Sequence, residues 1–378
     1  MASAATPQVP SGLPAYPDHL RQEVEDYLAG IGFGGDCAVQ GLDLSGLDVD
    51  WGALDVEGSL FLGCRFPTEE ARRAVEQRGA RVFPPFAPRP YDPYRSTLYT
   101  PAELDAVDQA IYDWYSAAGK YLPDLGEAMA QRVHDLAIDD ALGDLIGATP
   151  EARLERRIVG VMGGHAAQRG TRDYDGAARV AWLLGKDHLV VTGGGPGIME
   201  AANLGAYLSG QDASVLDWAL EQVAAAPGID SPDYRAAAER VSAAYPGGVA
   251  NLSVPTWFYG FEPVNLFATH VAKYFANSIR EDGLLAICLH GIVFANGSGG
   301  TVQEIFMDAA QNQYTTFGWR SPMAFLGRER WDPPGAPGGI YPALCAEAKA
   351  GGYVDLLTVS DSPEEIDAFI RAHPPAAA

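Results

Sequence analysis

The chain has 378 residues, 47% of them hydrophobic and 10% aromatic, enough to bury a large core, and its length predicts two or three structural units at roughly 100 to 200 residues each. Twenty-six basic against 49 acidic residues give a formal net charge of -23, a field that repels polyanions, so neither nucleic acid nor an anionic membrane surface is an expected partner. One phosphate held by backbone N–H groups and a single arginine is compatible with that field.

Cys37, Cys64, Cys288 and Cys345 show no paired spacing, so neither a zinc knuckle nor a disulfide framework is expected, and reduced thiols fit a cytoplasmic protein. The first twenty residues lack a basic segment followed by an apolar one, and no apolar run reaches about 18 residues, so the reading is of a soluble, unexported chain.

Residues 1–17 are rich in Pro, Ala and Ser and read as a disordered tail, as do residues 373–378. From 18 to 95 a small, β-rich N-terminal region is expected. Its apolar residues Leu42, Leu44, Leu47, Val49, Trp51, Leu54, Leu60 and Leu62 recur at short spacing among Gly and Asp, favouring a β-meander over a coil that resembles pentapeptide repeats. The proline-dense stretch 82–94 reads as a linker. Residues 96–150 are helical in pattern, with Leu104, Val107, Ile111, Trp114 and Tyr115 on one face, then Met129, Val133 and Leu136 on a second helix; both are expected to pack on the region C-terminal to them.

From 151 to 372 strands alternate with helices. Strands are expected at 157–164, 188–192, 249–255, 291–295, 323–326 and 356–359, and helices at 174–184, 197–208, 265–280, 300–313, 342–350 and 363–372, with a helical insertion at 211–248. This order predicts a Rossmann-like open parallel sheet with helices on both faces, preceded by a small α+β region, with ligands at the C-terminal ends of the strands.

Two segments carry chemistry. In VVTGGGPGIME (190–200) a hydrophobic strand feeds a glycine run that opens into a helix; Gly193, Gly194, Gly195 and Gly197 permit positive φ and close backbone approach, and N–H groups at such a turn can face an anion. Ile198 stands where a dinucleotide fingerprint needs its third glycine, and no Lys-Ser/Thr follows as a Walker loop requires. In HGIVFANGSGGTVQEIF (290–306) the pattern repeats, with Thr301 able to donate to a phosphate and Glu304 on nearly the same face. The plain alternative is a capping box, Thr301 capping the helix and Glu304 reaching back.

GGGPGIM (193–199), Met199 included, resembles the GGGxxGLM motif of LOG (Lonely Guy) phosphoribohydrolases. NGSGGTVQE (296–304) resembles their PGGxGTxxE, with Asn296 and Ser298 in place of proline and the second glycine, while Gly297, Gly300, Thr301 and Glu304 stand where the pattern expects them and Gly299 lies between. Gly163, Gly164 and His165 after the first strand, His290, Gly291 and Ile292 before the second loop, and EPVN (262–265) resemble the longer bacterial nucleotide 5′-monophosphate nucleosidases. The resemblance spans about 157–330.

It implies binding of an AMP-like nucleoside 5′-monophosphate and hydrolysis of its N-glycosidic bond, a homodimer or larger homo-oligomer, and an arginine on the preceding helix working with Glu304. The matching residue is Arg280, sixteen residues before Asn296 and expected at a helix C-terminus. In this reading Arg280 holds Glu304 ionised, Glu304 stabilises positive charge on the ribose and orients water, and both loops fix the phosphate. No cofactor or metal is expected. The alternative is a Rossmann-like nucleotide sensor that binds without turnover.

Overall fold

The computed structural model describes residues 38–47, 49–335 and 339–377, so the predicted tail at 1–17 and Cys37 lie outside the described residues. Its contacts form two compact units, one holding residues 38–98 and 110–146 and the other 99–109 and 147–377. In the first, β1 (Ala38–Gln40), β2 (Leu60–Leu62), α1 (Glu69–Gln77) and β3 (Arg81–Phe83) form a short sheet in which all strands are parallel, Val39 beside Phe61 and Phe61 beside Val82. A meander would be antiparallel; here each strand is reached by a return path, and Val39, Leu44, Trp51, Val56, Phe61 and Val75 close a core inside the turns.

Two helices come next, α2 (Pro101–Ala117) and α3 (Leu125–Ile146). α2 buries Leu104, Ile111 and Tyr115, whereas Trp114 is exposed. α3 belongs with the first unit, and its inner face differs from the expected one: Met129 and Leu136 are exposed, while Glu127, Gln131, His134 and Ile138 are buried. A polar cluster sets that face, Tyr91 donating to Glu127 at 2.7 Å and Arg89 Nε at 3.2 Å, a pattern that apolar periodicity does not detect.

The second unit is the expected α/β, Rossmann-like sheet. In chain order its elements are α4 (Pro150–Arg156), β4 (Ile158–Met162), α5 (Arg172–Leu184), β5 (Leu189–Thr192), α6 (Ile198–Tyr207), α7 (Ala213–Ala224), α8 (Tyr234–Ala244), β6 (Leu252–Ser253), β7 (His270–Val271), α9 (Asn277–Ile287), β8 (Ile292–Phe294), α10 (Gly299–Tyr314), β9 (Trp319–Arg320), β10 (Met323–Leu326), α11 (Arg328–Trp331), α12 (Ile340–Gly351), β11 (Leu357–Ser360), α13 (Pro363–Ala372) and β12 (Ala376–Ala377). Seven strands pair in parallel in the order β11-β10-β8-β4-β5-β6-β7.

Alternation along the strands explains why both faces carry helices. Val159, Val161, Val190, Val293, Ala324 and Leu326 pack with α5, α6 and α13 on one face. On the other, a Cβ at Gly160 would meet Cys288 at 2.9 Å, and Phe294 and Phe325 stack with centroids 5.3 Å apart, Phe325 in turn edge-on to Trp331 and Tyr341.

The insertion after α6 holds α7 and α8, tied to the core by a buried ion pair: Arg169 donates to Glu200, with Nε to Oε2 at 2.9 Å, and its guanidinium lies 3.5 Å from the Tyr234 ring centroid. The helix expected at 265–280 is absent as such. Residues 270–271 form the edge strand β7, and helix begins only at Asn277. Phe267, Val271, Ala272 and Tyr274 are all buried, so their spacing matched a helix while an extended segment buries them as well; the outer edge of β7 is closed by Tyr99, which exchanges backbone hydrogen bonds with Val271 at 3.0 and 2.8 Å. At the C-terminus, 376–377 pairs with 319–320 instead of trailing free.

Candidate functional site

The sheet reverses its winding between β4 and β8. In open α/β sheets such a switch point, at the strands' C-terminal ends, is where ligands are held. Three of the sequence-selected segments meet at this end: Gly163-Gly164-His165 after β4, Gly193–Gly197 after β5, and Asn296–Thr301 after β8. Gly164 N–H donates to Asn296 O at 2.9 Å, and Ile198 N–H donates to Gly164 O at 3.1 Å, so the β4 loop bridges the other two. His165 is exposed, and its carbonyl abuts Gly197: a Cβ there would lie 2.5 Å from Gly164 O and 2.7 Å from His165 O, with φ at 71°. Only glycine fits that position.

The two glycine loops do different work. In the first, the amides are largely occupied from within: Gly194 N–H donates to Thr192 Oγ1 at 3.1 Å and Gly195 N–H to Met199 Sδ at 3.4 Å. Its glycines instead make room. A Cβ at Gly193 would sit 2.7 Å from Arg280 Nη2, and one at Gly195 would sit 2.7 Å from Glu262 Oε2. The expectation that this run offers its N–H groups to an anion is therefore corrected at Gly194 and Gly195.

The second loop opens α10. Ser298 is its N-cap but makes no side-chain cap bond, and the first intrahelical donor is Val302, to Ser298 O at 3.0 Å. The N–H groups of Gly299, Gly300 and Thr301 are left without partners among the described residues, at the positive end of a 16-residue helix, and residues 298–300 are exposed. Thr301 is inside the helix and buried, not its cap, so the capping-box reading does not hold. Asn296 is held on both sides, its Nδ2 donating to Asp173 at 2.6 Å, and Arg330 Nε donates to Gly297 O at 3.0 Å.

Arg280 lies in the first turn of α9, not at a helix C-terminus, and is buried. It is a brace: Nε donates to Val254 O at 2.7 Å and Nη2 to Gly193 O at 2.9 Å, while Nη1 lies 4.0 Å from Glu281 Oε1. Glu304, one turn into α10, is partly buried. Burial pushes its carboxyl up to about 7, the Arg280 guanidinium pulls it back down, and the neighbouring Glu281 adds to the rise. Arg280 therefore does not hold Glu304 fully ionised. Desolvation outweighs it, and the carboxyl titrates near neutrality.

Sequence reasoning missed the surroundings of this pair. Tyr259 donates to Glu281 Oε1 at 3.2 Å, Asn277 Nδ2 donates to the Tyr259 hydroxyl at 2.9 Å, and Gln303 Nε2 donates to Glu281 Oε2 at 2.8 Å. Reading 265–280 as one helix hid the signal, since only with the helix starting at Asn277 do Asn277, Arg280 and Glu281 share a turn. His290, by contrast, lies at the opposite end of β8, edge-on to His188 with centroids 5.9 Å apart, and takes no part in the site.

A cavity of about 780 Å³ opens behind the second loop, lined by Thr171, Asp175, Arg179, Asn296, Glu329 and Arg330 among others, but not by Glu304 or Arg280. Volume alone favours that cavity. The raised carboxyl and the open N–H groups lie apart from it, in the first turns of α10. Among the described residues no group of His, Cys, Asp and Glu could hold a metal ion, and no helix is long and apolar enough to cross a membrane.

No family model and no curated protein matches the chain. Among solved structures it is similar to the molybdenum cofactor binding protein of the phototrophic bacterium Rippkaea orientalis, at 14% identity and a TM-score of 0.36 over 57% of this chain and 96% of that one. It is similar to the molybdenum cofactor carrier protein of Chlamydomonas reinhardtii at 14% identity and a TM-score of 0.36, over 57% and 97%. DNA processing protein A of Streptococcus pneumoniae is similar at 13% identity and a TM-score of 0.31, over 57% and 62%. These likenesses are too distant to bear on function.

Proposed function

We propose that the second unit binds a nucleoside 5′-monophosphate and hydrolyses its N-glycosidic bond to free base and ribose 5-phosphate, as the resemblance to LOG phosphoribohydrolases implies. The observation that carries this reading is Glu304: a carboxyl that titrates at about 7, beside Arg280 and within one turn of the unpartnered N–H groups of Gly299, Gly300 and Thr301. The phosphate is held at the α10 N-terminus, where the helix dipole favours an anion. Arg280 holds the Gly193 loop in place and tempers the Glu304 carboxyl.

In the reaction the C1′–N bond breaks with its electron pair leaving on the base, and positive charge develops on the ribose. The Glu304 carboxylate stabilises that charge and takes a proton from the water that attacks C1′, and the departing base is protonated from solvent. Titration near 7 matches such a base to neutral pH. The homo-oligomer that the resemblance implies fits the exposed apolar residues beside the site, Ile279 on α9 and Phe306 on α10.

The test is chromatography of the protein incubated with AMP, GMP, CMP, UMP and N6-isopentenyl-AMP, with Glu304→Gln run alongside. Release of base by the wild type, lost in the variant, supports the reading; binding without release from any nucleotide overturns hydrolysis and leaves a nucleotide sensor.

A further inference from the structure

The groups around Arg280 are unequal in what they have left to offer. Asn277 and Glu281 are buried, at 8% and 7% exposure, and both sit on the turn of α9 that carries Arg280. The bonds that join them run in one direction. The Tyr259 hydroxyl spends its only proton on Glu281, so Asn277 must present its amide N–H, not its oxygen, to that hydroxyl. Asn277 Oδ1 is thereby turned away, buried and without a hydrogen-bond partner among the described residues. Gln303 supplies one donor to Glu281, and a carboxylate has acceptor sites to spare beyond the two used. The subsite is thus rich in unsatisfied acceptors.

Above it lies the loop between β6 and β7, where Phe258, Tyr259 and Phe261 are all exposed and Phe258 meets Tyr259 edge-on at 5.2 Å. Tyr259 joins both features, its hydroxyl in the polar network and its ring free to stack on a flat aromatic ligand.

We propose that Asn277, Glu281 and Tyr259 form the nucleobase subsite, and that it selects bases carrying an exocyclic amino group over their oxo counterparts. The proposal rests on the nucleotide reading above and extends it to the base. An amino group donates to Asn277 Oδ1 and Glu281. An oxo group sets its lone pairs against one of those acceptors while its neighbouring ring N–H donates to only the other, a mismatch that corresponds to about tenfold or more in affinity.

The experiment measures dissociation constants by calorimetry for two pairs that exchange an amino for an oxo group, AMP against IMP and CMP against UMP, using the Glu304→Gln protein so that nothing is consumed. AMP and CMP are expected to bind about tenfold or more tightly than their partners. Asn277→Leu should bring the AMP to IMP ratio close to one, and Glu281→Gln, which adds an amide donor, should shift it toward IMP. If Asn277→Leu does not fold, Glu281→Gln carries the test. Equal binding within each pair, or ratios unmoved by Glu281→Gln, overturns the subsite while leaving nucleotide binding intact. Failure of all four to bind overturns the nucleotide reading and the subsite with it.

Discussion

Glu304→Gln should lower activity and raise stability, and the two effects share one cause. The carboxyl moves from an ordinary 4.5 to about 7 because burial opposes its charge. For a fully dry group a shift of that size corresponds to about 3 kcal/mol, and because Glu304 is partly exposed we scale it to about 1–2 kcal/mol. Between pH 4.5 and 7 the unfolded chain releases this proton and the folded chain keeps it, so the wild type loses stability as pH rises through that window and carries the full cost above about 7. Glutamine never ionises. Urea unfolding at pH 5 and pH 8 should show the variant close to the wild type at the lower pH and about 1–2 kcal/mol more stable at the higher. In the same range kcat/KM of the wild type should rise about tenfold per pH unit below 7 and level off above it, since only the carboxylate accepts the water's proton. Parallel stability curves would show that the carboxyl is not desolvated, and a rate that falls with rising pH would show that Glu304 acts as an acid.

Three further changes test the surrounding framework. Gly197→Ala forces a Cβ to within 2.5 Å of Gly164 O at a φ of 71° and should cost about 2 kcal/mol or more, read as a lowered urea midpoint; an unchanged midpoint would show that the loops do not meet there. Asp308, buried on α10 with Oδ2 unpartnered, is pushed up to about 8 by burial, so the folded chain keeps a proton that the unfolded chain loses; Asp308→Asn should gain up to about 4 kcal/mol over the wild type between pH 5 and 8, in the same unfolding assay. Arg169→Met takes the guanidinium from buried Glu200, leaving it the Tyr174 and Tyr234 hydroxyls, and should cost about 3–5 kcal/mol, part of it recovered in Arg169→Met/Glu200→Leu; an additive double variant would refute the coupling.

The parallel sheet was legible because its strands are buried on both faces and so read as continuous apolar runs, as at 158–162 and 189–192. Glycine loops were legible for a similar reason, since runs such as 193–197 have few other uses after a strand. What escaped were features that depend on long-range partners. β7 is two residues long and is held extended between β6 and Tyr99, a partner from far upstream that no local pattern encodes. The register of α9 was lost with it, and so were Asn277 and Glu281. The inner face of α3 escaped because it is polar, set by Tyr91 and Arg89 on a distant segment.

The departures from the LOG-like pattern at Asn296 and Ser298 take on meaning once the loop is seen held in place. A proline at 296 would fix φ and leave no N–H to satisfy. Asparagine leaves the backbone freer, and here that freedom is removed from outside: Asp173 accepts from the Asn296 side chain, Asn296 O accepts from Gly164, and Arg330 grips the next carbonyl. Three bonds from three other segments, the loop after β4 and the helices α5 and α11, stand where one ring would. The unpartnered N–H groups lie after this clamp, at Gly299, Gly300 and Thr301, and Ser298 caps none of them with its side chain. The loop's rigidity comes from neighbours, two of which, Asp173 and Arg330, also line the cavity behind it.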